Sequence, residues 1–407
     1  MKNLFSTFFI VFVGINLSAQ TQNISFSHGG CTFQGELDLP AGNGPHPAIV
    51  LIPGSGQNDR HSTMELTPSP NVNCLYPGLV GQTLYPLRDL GKQLSDSGYA
   101  VLRYDELFIS CPNYSGVRSF ENVFLPGLSA LDYLKTRPDI DTNQLILAGH
   151  SEGAMLISVM ANMRNDVKAL ISIAGSRTPF DSIFARQLVD IVDSCGGDMA
   201  TAVQQGQQFL TYFNMVRQQN YGGLPPFGGL QPQEWNPYIN AADSVAILYD
   251  QAQLPALFLG FGKDFNVPPL ELVRFQQETT GNHNFFLIPG LNHSLTPINS
   301  PDVPQFVGDT IVYWLRNASL SANSFAPIKE SQVKVFPNPT QGVLSLSAKS
   351  PIEKVEVINL TGRVVERASG NQSHELQIDM IHQPKGMYFL SIQYVDGVVE
   401  RVKVVVR

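Results

Sequence analysis

The stretch QLILAGHSEGAMLISVMANMR occupies residues 144–164 and decides the fold. Residues 144–148 form a short apolar run, Gly149-His150-Ser151-Glu152-Gly153 follow as G-x-S-x-G, and residues 152–164 carry helical periodicity. A strand that passes into a helix through one serine forces that serine into a strained turn, where side chains at 149 and 153 would collide with the backbone. Such a serine stands at the carboxyl edge of a sheet, beside a helix amino terminus, where a nucleophile can be reached and its charge stabilised. A plain strand-to-helix turn capped by serine reads the same way in isolation, so the surroundings decide.

Outward from this turn, apolar runs at 48–53, 100–104, 169–174, 255–261 and 284–289 alternate with amphipathic stretches at 84–97, 122–136, 271–279 and 303–316. Strands separated by helix-length spacers predict a mostly parallel sheet flanked by helices. One spacer, residues 176–251, is far longer than a crossover requires. It carries helical patterns at 183–192 and 200–217, a Gly/Pro-rich segment at 222–232, then Trp235 and Tyr238, and reads as a lid inserted over the carboxyl edge of the sheet. The aromatic residues Phe209, Tyr212, Phe213, Trp235 and Tyr238 within it are read as packing before recognition.

A serine needs a base to take its proton and an acid to orient that base, and in this kind of sheet the order is Ser, Asp or Glu, His. Asp264 stands in Gly262-Lys263-Asp264 after the run 255–261, and His293 in Gly290-Leu291-Asn292-His293 after the run 284–289. Each strand end delivers its residue to the edge that carries Ser151. Singly, Asp264 reads as a turn residue and His293 as a loop histidine; together with the turn at Ser151 they read as a catalytic triad. Acyl transfer also needs donors for a developing oxyanion, for which the backbone N–H groups of Glu152 and Ser55 are the candidates, with Gly56 as the neighbouring option. Residues 54–60 lack the Lys-Ser/Thr ending of a phosphate loop, and the reading requires neither a metal nor an organic cofactor.

The chain has 407 residues, 43% apolar and 15% charged, which excludes wholesale disorder and favours two or three units. A net charge of -8 argues against a nucleic-acid partner, and the tail, residues 331–407, carries 9 basic and 7 acidic groups, so the acidic surplus lies ahead of it. Lys2, the apolar residues 8–13 and Leu17-Ser18-Ala19 read as a signal peptide cleaved after Ala19. The apolar run at 4–17 is shorter than the roughly 20 residues that span a bilayer, so no transmembrane segment is expected. Export permits disulfides among Cys31, Cys74, Cys111 and Cys195. The pairing stays open, with Cys74–Cys111 preferred because both lie in polar, Pro-bearing loops. Past a linker at 321–332, short alternating segments at 333–336, 343–347, 354–359, 364–367, 375–379, 387–394 and 398–406 predict a seven-stranded all-β sandwich over 333–407.

Residues 54–60, Arg103-Tyr104-Asp105, the turn at 149–153, Gly262-Lys263-Asp264 with Val267-Pro268, and Pro289-Gly290-Leu291-Asn292-His293 resemble the α/β-hydrolase family of bacterial carboxylesterases and serine-aminopeptidase-like hydrolases. The resemblance spans most of residues 24–317 and implies a catalytic domain over 20–320 that cleaves small-molecule esters or short peptides. Ser151 would be the nucleophile, His293 the base and Asp264 its partner. Two departures stand out: relatives usually continue Tyr-Asp with Arg-Gly where this chain has Glu106-Leu107, and Ala154 follows the turn where a further Gly is common. The first bears on the loop near Cys111, and specificity is assigned to the lid and to residues 106–117. The tail, with Val335-Phe336-Pro337-Asn338-Pro339-Thr340, Gly342, residues 355–362 and Gly386-Met387-Tyr388, is similar to the carboxyl-terminal sorting domain of type IX secretion cargo. That similarity implies secretion machinery as a partner and a location outside the cell or on its outer surface. An amide-cleaving peptidase and a catalytically silent binding domain are the competing readings.

Overall fold

The computed structural model describes residues 19–114, 119–318, 333–359, 364–384, 386–395 and 399–407. The signal-peptide residues 1–18, the linker 321–332 and positions 115–117 of the loop assigned to specificity lie outside the described residues.

Eight strands make the larger sheet: β1 (Gln20–His28), β2 (Cys31–Leu39), β3 (His46–Ile52), β4 (Ala100–Tyr104), β5 (Ile140–His150), β6 (Val167–Ile173), β7 (Ala256–Phe261) and β8 (His283–Ile288). Their order is β1-β2-β4-β3-β5-β6-β7-β8, parallel from β4 onward, with β1 and β2 antiparallel. The sequence reading lacks the hairpin β1–β2, because Gly35 interrupts the buried alternation of Cys31, Phe33 and Leu37. A Cβ at Gly35 would come within 2.7 Å of the Arg103 carbonyl on β4, so the interruption is imposed by the neighbouring strand.

Alternate residues of the central strands feed two cores on opposite faces of the sheet. Val50, Ile52, Leu145 and Leu147 pack with Leu131, Leu134, Leu156 and Met160, which belong to helices α3 (Glu121–Lys135) and α4 (Glu152–Asn162). Ile49, Leu51, Ile146 and Ala148 pack on the other face with Leu87, Leu90 and Leu94 of helix Pro86–Asp96 and with Val307, Ile311 and Leu315 of helix Gln305–Ala318. Burying both faces explains why these strands read as continuous apolar runs.

The long spacer folds into helices Phe180–Cys195, Met199–Arg217, Trp235–Asp243 and Val245–Gln251. Its aromatic side chains pack on one another: Phe180 stacks on Trp235 at 5.6 Å, and Phe213 meets the same indole edge-on at 5.2 Å. Arg217 joins three of the helices by pairing with Asp181 at 2.7 Å and Asp243 at 2.8 Å. Phe213, Trp235 and Tyr238 share one continuous core with β3 and α4, so the insert is an extension of the main core and not a body with its own. Glu271 accepts N–H bonds from Arg177 at 2.9 Å and Thr178 at 2.6 Å, and Arg186 donates to the Asn266 carbonyl at 2.7 Å, which ties the insert to the segment that follows β7.

The disulfides join Cys31 to Cys111 and Cys74 to Cys195, which replaces the preferred Cys74–Cys111 pairing. The reason is register: β2 runs antiparallel to β4 with Gly35 opposite Tyr104, so the start of β2 lies beside residues that follow β4. Cys74, in the helix Pro70–Leu75, meets the last residue of the lid helix Phe180–Cys195, 121 positions away.

The tail forms five antiparallel strands, β9 (Val333–Phe336), β10 (Val343–Asn359), β11 (Val364–Asp379), β12 (Gly386–Tyr394) and β13 (Val399–Val406), where seven were expected. Two pairs of expected strands are each one long strand, β10 and β11, because the turn-like residues between them form register breaks and not reversals. Leu344, Leu346 and Ile378 from one half share a core with Val355, Val357, Leu390 and Ile392 from the other, as the layers of a sandwich do.

Candidate active site

Ser151 lies between β5 and α4 at φ 55 and ψ -116, a strained backbone for a residue with a side chain. The flanking glycines have no alternative. A Cβ at 149 would lie 2.1 Å from the Gly153 carbonyl oxygen, and one at 153 would lie 2.4 Å from the Ile52 carbonyl oxygen on β3. The turn therefore fits only where β3 and β5 are neighbours, as their pairing places them.

The three residues expected at the sheet edge come together there. Ser151 Oγ donates to His293 Nε2 across 3.0 Å, and His293 Nδ1 donates to Asp264 Oδ2 across 2.8 Å. The Asp264 side chain is fully buried, and its second oxygen accepts the Val267 N–H at 2.8 Å, so both oxygens are committed to fixed donors. The loop that carries His293 is shaped by Asn292, whose Oδ1 accepts from the Ser294 N–H at 2.9 Å and from the Thr296 hydroxyl at 3.2 Å.

Two further side chains brace this loop. His150 Nε2 donates to the His293 carbonyl at 2.8 Å, and the two imidazole rings lie 4.7 Å apart. Burial, with His293 beside it, pushes His150 down to about 3, so its ring is neutral near neutral pH. Tyr76 hydrogen-bonds the Ser294 hydroxyl, and burial pushes its phenol above the usual range, with the Asp264 carboxylate adding in the same direction. His150 is visible in sequence only as the variable position of G-x-S-x-G. Tyr76 carries no local signal at all.

On the opposite side of Ser151, residues 54–60 follow β3. Gly54 lies so close that a Cβ there would sit 3.1 Å from the Ser151 Cβ. Asn58 closes the loop by donating to the Gly54 carbonyl at 2.9 Å, and its backbone N–H donates to Glu106 at 2.6 Å. Arg60 forms a bidentate pair with Asp105, at 3.0 and 2.6 Å, which holds the guanidinium above its ordinary range. Glu106, the departure from the usual Arg, is thus a brace for this loop. The Glu152 N–H opens α4. Of the two expected oxyanion donors, Glu152 directly follows Ser151, and Ser55 follows Gly54 in the neighbouring loop. Above them, Tyr238 of the lid donates to the Glu152 carboxylate, and burial with that carboxylate pushes the phenol well above its ordinary value.

A sheet of order β1-β2-β4-β3-β5-β6-β7-β8 with a G-x-S-x-G turn after β5, an aspartate after β7 and a histidine after β8 is the α/β-hydrolase arrangement. The larger domain has the α/β-hydrolase fold. Residues 128–223 match the family described as BAAT / acyl-CoA thioester hydrolase C terminal, and residues 334–407 match the secretion system C-terminal sorting domain, which identifies the tail as a type IX sorting domain. The chain is 26% identical over 296 residues to Esterase EstD of Thermotoga maritima, a match covering 69% of this chain and 65% of that esterase, so it spans less than two thirds of the relative's length. Among solved structures, Est1E from Butyrivibrio proteoclasticus is 16% identical with a TM-score of 0.45, over 74% of this chain and 99% of that one. An acylaminoacyl peptidase from Pyrococcus horikoshii is 13% identical with a TM-score of 0.46, over 75% of this chain and 42% of that one. Among the described residues, no helix is long and apolar enough to cross a membrane.

Proposed function

We propose that this hydrolase is a secreted serine carboxylesterase that works through an acyl-enzyme on Ser151, with Asp264 and His293 completing its triad. The observation that carries the reading is the relay from Ser151 Oγ to His293 at 3.0 Å and on to buried Asp264 at 2.8 Å. His293 takes the Ser151 proton as the hydroxyl attacks the ester carbonyl, then returns it to the departing alcohol. Water attacks the acyl-enzyme with the same proton traffic in reverse. Asp264 fixes the Nδ1–H tautomer and stabilises the imidazolium. The Ser55 and Glu152 N–H groups receive the oxyanion, helped by the amino terminus of α4.

Export follows from two segments: a signal peptide at 1–19 for the first membrane and the sorting domain at 333–407 for the second, with the catalytic domain at 20–320, its lid at 176–251 and the linker at 321–332 between them. Treatment of the purified full chain with a fluorophosphonate, followed by digestion, is expected to place the label on Ser151. A folded sample with no label there refutes the reading and leaves a silent binding domain. Ser151→Ala is expected to lower ester turnover by about 10⁴-fold or more.

A further inference from the structure

The end of β4 clamps the segment that follows β3. Arg103 Nη1 donates to the Arg60 carbonyl at 3.2 Å, the Arg60 N–H donates to Asp105 at 2.8 Å, and the Glu106 N–H donates to the Asn58 carbonyl at 3.0 Å. Glu106 Oε2 in turn accepts two donors from Asn58, the backbone N–H at 2.6 Å and the side-chain Nδ2 at 3.2 Å. Glu106 is held from behind. Ser110 donates its N–H to the Glu106 carbonyl at 2.9 Å and its hydroxyl to the Asp105 carbonyl at 2.8 Å, and the next residue, Cys111, is bonded to Cys31 on β2.

What this clamp does beside Ser151 follows from the geometry of one peptide group. Gly56, at φ 116, turns the chain so that the Asn58 side chain reaches back, and its Nδ2 donates to the Gly54 carbonyl at 2.9 Å. The Gly54 carbonyl and the Ser55 N–H are the two ends of a single planar trans peptide, so they point in opposite directions and fixing one fixes the other. The Ser55 carbonyl shares its peptide with the Gly56 N–H and lies 3.4 Å from the same Nδ2, longer than a good hydrogen bond. Of the two candidate donors in this loop, the Ser55 N–H is the one held. Gly54 lies against Ser151, so the held peptide borders the nucleophile.

We propose that Asn58 and Glu106 are positioning residues for the transition state: Glu106 aims the Asn58 amide, and that amide aims the Ser55 N–H at the oxyanion. The proposal rests on the serine esterase reading and adds two residues to its machinery. Glu106 stands where relatives usually carry Arg, and a guanidinium has no acceptor with which to hold the two Asn58 donors, so the relay belongs to this chain. An oxyanion forms only as Ser151 attacks. A donor that is misaimed therefore lowers kcat and leaves KM in place.

The test compares turnover of p-nitrophenyl butyrate with inhibition by an alkyl trifluoromethyl ketone, using the full chain. Ser151 Oγ bonds to the ketone carbon, the carbonyl electron pair moves onto its oxygen and the Ser151 proton passes to His293, so the adduct carries an oxyanion without turnover. Asn58→Ala is expected to lower kcat about 30-fold, to hold KM within about 2-fold and to raise the ketone Ki by about the same factor as kcat falls. Asn58→Asp keeps the side-chain shape but loses the donor, and the same result is expected, so the test stands if the alanine variant does not fold. Glu106→Ala is expected to cost about 10-fold in kcat and in Ki, and Glu106→Gln, which keeps an acceptor oxygen for Asn58, to recover most of it. Circular dichroism verifies each fold. A folded Asn58 variant with kcat unchanged, or with kcat lowered and Ki unchanged, overturns the proposal, and so does a Glu106→Gln variant no better than Glu106→Ala. An unmodified chain that turns over the ester while its variants fail these tests loses only the relay; one that neither cleaves the ester nor binds the ketone loses the esterase reading with it.

Discussion

Around Ser151 the backbone sets the geometry, whereas over it the lid is positioned by side chains drawn from distant parts of the chain. The turn at Ser151 needs Gly149 and Gly153 because carbonyl oxygens of Gly153 and Ile52 fill the space where side chains would go. The lid is held by Arg217 between two aspartates, by a cluster of rings, and by a disulfide to residue 74. The difference teaches that the turn is fixed by backbone contacts while the insert over it is held by side chains. Change in the turn is intolerable, and change in the cover is a matter of degree.

The comparison can be broken at its most rigid point first. Asp264→Asn keeps the shape of the relay but presents the wrong donor to His293, and kcat is expected to fall about 10³–10⁴-fold with the thermal midpoint nearly unchanged; a fall under 10-fold would mean that His293 is oriented by something else. Gly153→Ala is expected to destabilise the fold by about 3 kcal/mol or more, read from urea unfolding, because its Cβ would meet two backbone carbonyls.

On the adjustable side, replacing Cys74 and Cys195 by Ser is expected to cost about 2–4 kcal/mol of stability and to raise KM more than it lowers kcat. An equal fall in kcat would show that the lid and the triad move as one. A subtler measurement concerns His150. Its folded-state value near 3 lies below the ordinary 6.5, so the unfolded chain binds the proton first as pH falls. Stability carried by the neutral ring is present above pH 6.5 and is lost progressively down to about pH 3. His150→Gln retains a donor for the His293 carbonyl without the titration, and is expected to flatten the decline in thermal midpoint between pH 6 and 4. The smallest effect belongs to Tyr76→Phe, which removes one hydroxyl beside Ser294 and is expected to lower kcat by a few fold with KM unchanged.

Much of the site could be read in sequence because a local pattern encodes it. Ser151 announces itself through glycines two residues either side, and Asp264 and His293 through their places just after apolar runs. The tail announces its β character by alternation, although a register break inside β10 looks locally the same as a turn between two strands.

The sequence by itself determined the parallel sheet, the three residues at its edge and the sorting tail, since each depends on periodicity or on contacts within a few positions. Only the tertiary structure decided that Cys31 meets Cys111, that His150 and Tyr76 brace the histidine loop, that Glu106 holds the loop at residues 54–60, and that the lid aromatics pack on themselves. These contacts join residues between 48 and 218 positions apart in all but the lid. Which of many compatible partners a distant side chain finds is settled by strand order and register, and no window of sequence contains that information.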